Sequence, residues 1–231
     1  MLVLNNKSNL CKTEFIKYQK ELEKFKIKDQ EVILCPADIN IALFNLSNII
    51  LGAQNVSSYN EGPHTGEISS KMLKSYGVEY SLVGHSERRR EQKEKDIDVQ
   101  SKIQALLQVG IKPILCIGET KEERKSGKIL EKIAEELSVA FEDLTKEEID
   151  GIVIAYEPLY AIGTGVVPSL KEIEEVLSFV KEKYKENKLL YGGSVNLDTF
   201  KKLKNSSLID GYLLGSLSLK VGELKEFIKK I

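Results

Sequence analysis

Residues Ile152–Ser194 read IVIAYEPLYAIGTGVVPSLKEIEEVLSFVKEKYKENKLLYGGS. The run Ile152–Ala155 is apolar continuously rather than alternately, as in a strand covered on both faces. It ends into Glu157-Pro158. Downstream, Ser169 and Glu172 form a capping box that starts a helix. Leu170, Ile173, Val176, Leu177, Val180 and Tyr184 then fall on one helical face. A second apolar run, Leu189–Tyr191, closes into Gly192-Gly193-Ser194. Strand, helix and strand in this order make the crossover unit that joins parallel strands.

The same unit recurs outward in both directions. Short apolar runs lie at Leu2–Leu4, Val32–Cys35, Ile49–Gly52, Tyr80–Val83, Pro113–Ile117 and Tyr212–Leu214, which makes eight strands in all. Ile129, Leu130, Ile133, Ala134, Leu137, Ala140 and Phe141 mark a second amphipathic helix, and Phe15, Tyr18, Leu22 and Phe25 a weaker stripe. The charge-dense stretches 88–98 and 121–132 intersperse acids and bases and read as solvated helix faces. No linker or shift of composition interrupts the pattern, so residues 1–231 are expected to form one domain. An α/β chain of this kind folds either as an open doubly wound sheet or as a closed barrel. The turn after the first strand, Asn5-Asn6-Lys7-Ser8-Asn9, lacks the glycines of the open sheet's phosphate turn. Eight similar units favour a single (β/α)8 barrel, slightly short at 231 residues against the ~250 typical of that fold.

Composition narrows the function. The chain has 34 basic and 35 acidic residues for a net charge of −1, which argues against a nucleic-acid partner. No run of 18 apolar residues and no signal-peptide pattern occurs, so neither a membrane span nor export is expected. Cys11, Cys35 and Cys116 are odd in number and widely spaced. That favours a reducing compartment, the cytoplasm, over a disulfide framework or a zinc site. No metal site and no cofactor is expected.

In a barrel, chemistry gathers at the carboxyl ends of the strands. Strand one ends into Asn5 and Lys7, strand four into Gly84-His85-Ser86-Glu87, strand six into Glu157, and strands seven and eight into Gly192-Gly193-Ser194 and Gly215-Ser216. Each has a plain reading as a surface charge, a structural histidine or a turn. Together at one rim they suit proton abstraction next to a carbonyl. Glu157 is the expected base, made more basic by desolvation. His85 precedes a helix start, with Ser86 available as its cap, and serves as a neutral donor to the substrate oxygen. Lys7 supplies positive charge, with Asn5 as a further donor and Glu87 holding Lys7 in place. Backbone N–H groups of Gly163, Ser194, Gly215 and Ser216 form a cradle for a phosphate. The segment 158–168 reads as a lid with a proline at each end.

These residues resemble the triosephosphate isomerase family along nearly the whole chain. Gly84-His85-Ser86-Glu87-Arg88-Arg89, Ala155-Tyr156-Glu157-Pro158 with Ala161-Ile162-Gly163-Thr164-Gly165, and Tyr191-Gly192-Gly193-Ser194-Val195 match its motifs. So do Gly52-Ala53-Gln54-Asn55, Thr65-Gly66-Glu67-Ile68-Ser69 and residues 113–119. A glutamate base beside a neutral histidine in that enzyme is a general worked example of tuned acid–base chemistry. The resemblance implies a TIM barrel that interconverts dihydroxyacetone phosphate and glyceraldehyde 3-phosphate, in glycolysis and gluconeogenesis. It also implies Glu157 as proton acceptor, His85 as electrophile, Lys7 and Asn5 on a small phosphorylated triose, and a homodimer in which Thr65 reaches the partner's site.

The sequence departs from the family at several points. The large apolar residues of the family's first motif are Asn6 and Ser8 here, the lid's tryptophan is Tyr160, and the second hinge is Val166-Val167-Pro168. A glycine of the last phosphate turn is Ser216, whose backbone N–H is kept if its φ suits a side chain. The alternatives are a barrel acting on another sugar phosphate, or a catalytically silent phosphate-binding barrel. Neither accounts for His85, Glu157 and Lys7 together.

Overall fold

A computed structural model of the chain describes residues 1–27, 30–161 and 168–231. Eight strands form a closed parallel barrel in sequence order, β1 (Leu2–Asn5), β2 (Val32–Cys35), β3 (Ile50–Ala53), β4 (Tyr80–Val83), β5 (Lys112–Ile117), β6 (Val153–Tyr156), β7 (Leu189–Tyr191) and β8 (Gly211–Leu214). Closure is made by β8 on β1, with Leu2, Val3 and Leu4 opposite Tyr212, Leu213 and Leu214. The apolar runs locate every strand, with ends displaced by one residue at β1, β3, β5, β6 and β8.

The helices among the described residues are α1 (Lys12–Leu22), α2 (Asp38–Ile41), α3 (Ser70–Ser75), α4 (Ser86–Glu91), α5 (Asp96–Leu107) and α6 (Lys121–Lys125). They continue as α7 (Ile129–Ala140), α8 (Lys146–Asp150), α9 (Leu170–Lys183), α10 (Leu197–Leu203) and α11 (Val221–Ile228). Their starts follow side-chain chemistry. Ser169 Oγ accepts from the Glu172 N–H while the Glu172 carboxylate accepts from the Ser169 N–H, and Thr120 with Glu123 repeats the arrangement at α6. Each box satisfies N–H groups that a helix start leaves without partners. The first stripe overruns its helix, because α1 stops at Leu22 and Phe25 is buried beyond it.

Continuous apolarity has a simple cause here. Successive side chains on a strand point to opposite sides. Leu2 and Leu4 pack outward against the helices, whereas Val3 joins Ile33, Cys35, Leu82, Ile114, Cys116, Val153, Ala155, Leu190 and Leu213 inside the barrel. Both sides exclude water, so the strand interiors carry no charge, and the one charged strand residue among those described, Lys112 at the start of β5, is exposed. Gly52 makes room in this interior, since a Cβ there would lie 2.7 Å from the Cys35 sulfur. Burial pushes the Cys35 and Cys116 thiols well above their ordinary range, so both act as small apolar fillers.

The charged stretch 88–98 is mostly solvent-facing, as expected, but it contains a buried cluster around Glu94 that the expectation missed. Glu94 is buried between Arg88 Nε at 2.7 Å and Lys102 Nζ at 2.5 Å, and it accepts the Gly84 N–H at 3.1 Å. Arg89 pairs with Asp96 at 2.5 Å and donates to the Gly84 carbonyl at 2.9 Å. The chain turns there with Gly84 at φ +68°, and these charges clamp the peptides on either side of that turn. A buried carboxylate requires such partners.

Candidate active site

The carboxyl ends of β1, β4, β6, β7 and β8 open on one cavity of about 320 Å³, lined by Asn5, Lys7, His85, Glu157, Ser194, Gly215 and Ser216 among others. Of the residues expected to carry the chemistry, Asn5, Lys7, His85, Glu157, Ser194, Gly215 and Ser216 share it. Glu87 stands outside it and meets the site through Lys7. Gly163 and the rest of 162–167 lie outside the described residues.

Glu157 follows β6 and is 2% exposed. Its N–H donates to the Ile117 carbonyl at 2.8 Å, which fixes its backbone to the end of β5. Its carboxylate lies 3.2 Å from His85 Nε2 and accepts the Ser86 N–H at 3.3 Å. Gly192 makes room for it, as a Cβ there would stand 2.8 Å from Glu157 Cγ. Burial is the largest influence on this carboxyl and pushes it up. The His85 ring, the Ser86 N–H and Lys7 outweigh burial and hold it below its ordinary value.

His85, rather than Ser86, caps α4. Its Nδ1 accepts the Glu87 N–H at 3.2 Å, while the Ser86 hydroxyl is buried with no hydrogen-bond partner. An imidazole nitrogen that accepts carries no proton, so the ring bears its proton on Nε2, the atom nearest Glu157. Burial works against charge on His85. The carboxylates of Glu157 and Glu87 more than offset that and raise its affinity for a proton.

Lys7 sits in the left-handed region at φ +51°, a conformation costing a residue with a side chain roughly 1–2 kcal/mol. Two contacts hold it there. Its N–H donates to Asn5 Oδ1 at 2.9 Å, and its carbonyl accepts from Gln54 Nε2 at 2.9 Å. The ammonium reaches Glu87 Oε1 at 2.6 Å. Asn5 thus spends its carbonyl oxygen on the Lys7 turn, a role the sequence reading did not assign.

Ser194 donates to the Ala161 carbonyl at 2.6 Å, tying the β7 turn to the 3-10 turn Leu159–Ala161 that follows Glu157. Ser216 begins the 3-10 turn after β8, and its φ is not positive, so its side chain costs the backbone nothing. A Cβ at Gly215 would stand 3.2 Å from Lys7 Cε. Gln54, Arg89 and Glu94 were given no role at the site on sequence grounds. Their signal is visible only after folding: Gln54 reaches the Lys7 and Cys35 carbonyls at other strand ends, and Arg89 and Glu94 fold back on Gly84 just before His85.

The arrangement suits proton transfer on a small anionic molecule, the chemistry of aldose–ketose isomerases built on phosphate-binding barrels. The family model described as Triosephosphate isomerase matches residues 1–231. Among curated relatives, Triosephosphate isomerase of Fusobacterium nucleatum is 39% identical over 237 aligned residues, covering 96% of this chain and 94% of that protein. The enzyme of the same name from Alkaliphilus oremlandii is 40% identical over 214, covering 87% and 86%. That from Francisella tularensis subsp. holarctica is 42% identical over 188, covering 78% and 74%. The chain belongs to the triosephosphate isomerase family.

Proposed function

We propose that the chain interconverts dihydroxyacetone phosphate and D-glyceraldehyde 3-phosphate, a step of glycolysis and gluconeogenesis, with Glu157 moving a proton between the two reacting carbons through an enediolate. The observation that carries the reading is the 3.2 Å approach of Glu157 to His85 Nε2 in the cavity that Lys7 also lines. A triose entering between them takes over the Nε2–H from Glu157. The carboxylate then loses a stabilising partner while staying buried, and burial alone makes it more basic. His85 polarises the substrate oxygen from a preset tautomer, and Lys7 balances the charge of the enediolate and the phosphate. Asn5, its carbonyl oxygen already committed, offers its NH₂ group. Ser194, Gly215 and Ser216 cradle the phosphate, and Glu87 steadies Lys7.

The chain works as a homodimer in the cytoplasm. Support for the dimer comes from the loop after β3, pinched at its base by the Ser57 N–H to Ile68 carbonyl bond of 2.9 Å. Thr65 is exposed near its tip, and His64 stacks on Tyr59 with centroids 4.2 Å apart. Tyr59 within the loop, and Met72 and Tyr76 at the helix that follows it, are exposed large apolar side chains, which a second subunit would cover. The three free cysteines fit a reducing compartment.

Purified protein should isomerise glyceraldehyde 3-phosphate in a coupled assay at an undiminished rate in excess EDTA and without added coenzyme. A rate that collapses in the chelator and returns with a divalent metal contradicts the mechanism.

A further inference from the structure

We propose that Glu136, on α7 and outside the cavity, is a positioning residue for the base, holding Glu157 through the peptide group between Ile117 and Gly118. The inference rests on Glu157 being the base. Glu136 Oε2 accepts the Gly118 N–H at 3.1 Å, and the Ile117 carbonyl of that same planar peptide accepts the Glu157 N–H at 2.8 Å. Donor and acceptor of one peptide polarise each other, so a carboxylate on the N–H strengthens the bond at the carbonyl. Gly118 also abuts the base directly, since a Cβ there would lie 1.9 Å from the Glu157 carbonyl oxygen. A shift of this peptide therefore cannot leave Glu157 in place.

The other carboxylate oxygen faces the opposite half of the catalytic pair. Glu136 Oε1 lies 4.0 Å from Arg89 Nη1 and 3.6 Å from Lys132 Nζ. Arg89 in turn holds the carbonyl of Gly84, the residue immediately before His85. One buried carboxylate thus ties the backbone beneath Glu157 to the backbone beneath His85. Burying it is costly, and pairing of this kind is a poor source of net stability. Its use lies in fixing the spacing of two backbones to the tolerance that proton transfer demands.

Two variants of similar volume separate positioning from packing. Glu136→Gln keeps an acceptor for the Gly118 N–H, whereas Glu136→Leu removes it. Expected are a kcat within about twofold of the parent for E136Q, and a kcat lowered about tenfold with KM nearly unchanged for E136L. A folded E136L enzyme with the parent kcat overturns the proposal, as does an E136Q enzyme impaired as much as E136L. Glu157→Asp assayed in parallel separates the two failures. Full activity there removes the base itself, while its loss beside an active E136L removes only the role of Glu136.

Should E136L not fold, amide NMR of the parent and E136Q enzymes decides the matter. The charged groups facing Glu136 are Arg89 of α4, Asp96 of α5 and Lys132 of its own helix. The Gly118 and Glu157 amides of the parent should titrate together near neutral pH, and this common step should vanish in E136Q. A Glu157 amide indifferent to the Glu136 substitution overturns the proposal.

Discussion

His85 Nε2 lies 3.2 Å from Glu157 Oε1, while the other ring nitrogen accepts the Glu87 N–H at the start of α4. The imidazole is therefore held from behind by a backbone donor and meets the carboxylate with its single proton. The two groups stand in direct contact, and a substrate oxygen that takes the Nε2–H separates them.

Room for the base is the first point open to test. Gly192→Ala places a methyl carbon 2.8 Å from Glu157 Cγ and 3.3 Å from Leu213 Cδ2. The barrel wall is rigid there, so the carboxylate must move. Its displacement should lower kcat about 10²-fold with an unchanged circular dichroism spectrum. A parent-like kcat in the folded variant would show that the carboxylate needs no such space.

Glu136 makes stability depend on pH. Burial pushes its carboxyl up to about 7 from the ordinary 4.5, with Arg89, Lys132 and the Gly118 N–H pulling down. Between those values the folded protein binds a proton that the unfolded chain releases. This group's contribution is thus most favourable below about pH 4.5 and declines as pH rises through about 7, by up to ~3 kcal/mol on an order-of-magnitude basis. Urea unfolding between pH 5 and 8 should show a shallower decline for Glu136→Gln than for the parent. Parallel profiles for the two proteins contradict this assignment.

The loop around Thr65 bears on assembly. Thr65→Arg puts a long charged side chain where the proposed partner surface would close. Sedimentation velocity should find the variant monomeric at concentrations where the parent is dimeric, with low activity. An intact, active dimer would move the interface elsewhere.

How much of this was readable beforehand depends on which contacts are local. The eight strands were legible because each is buried on both faces, leaving uninterrupted apolar runs. Helix starts were legible where Ser169 and Glu172 sit at the spacing that caps a backbone. His85 as the cap of α4 was not legible, because Ser86 is the commoner capping residue and only the ring's orientation decides between them. Glu136 falls within the amphipathic helix 129–140 as one more acidic residue. Its place against Gly118 follows from how α7 packs on the end of β5, which no local pattern encodes. Within the stretch 88–98, largely solvated as read, Glu94 was missed for a related reason, since alternating charges do not mark which one of them turns inward.

Steady-state kinetics of Glu157→Asp with glyceraldehyde 3-phosphate test the role of the base most directly. Asp retracts the carboxylate by about one methylene while keeping its charge, and the approach to His85 Nε2 is already only 3.2 Å. The account predicts a kcat lower by roughly 10²–10³-fold and a KM within a few-fold of the parent. A kcat equal to the parent's would contradict it.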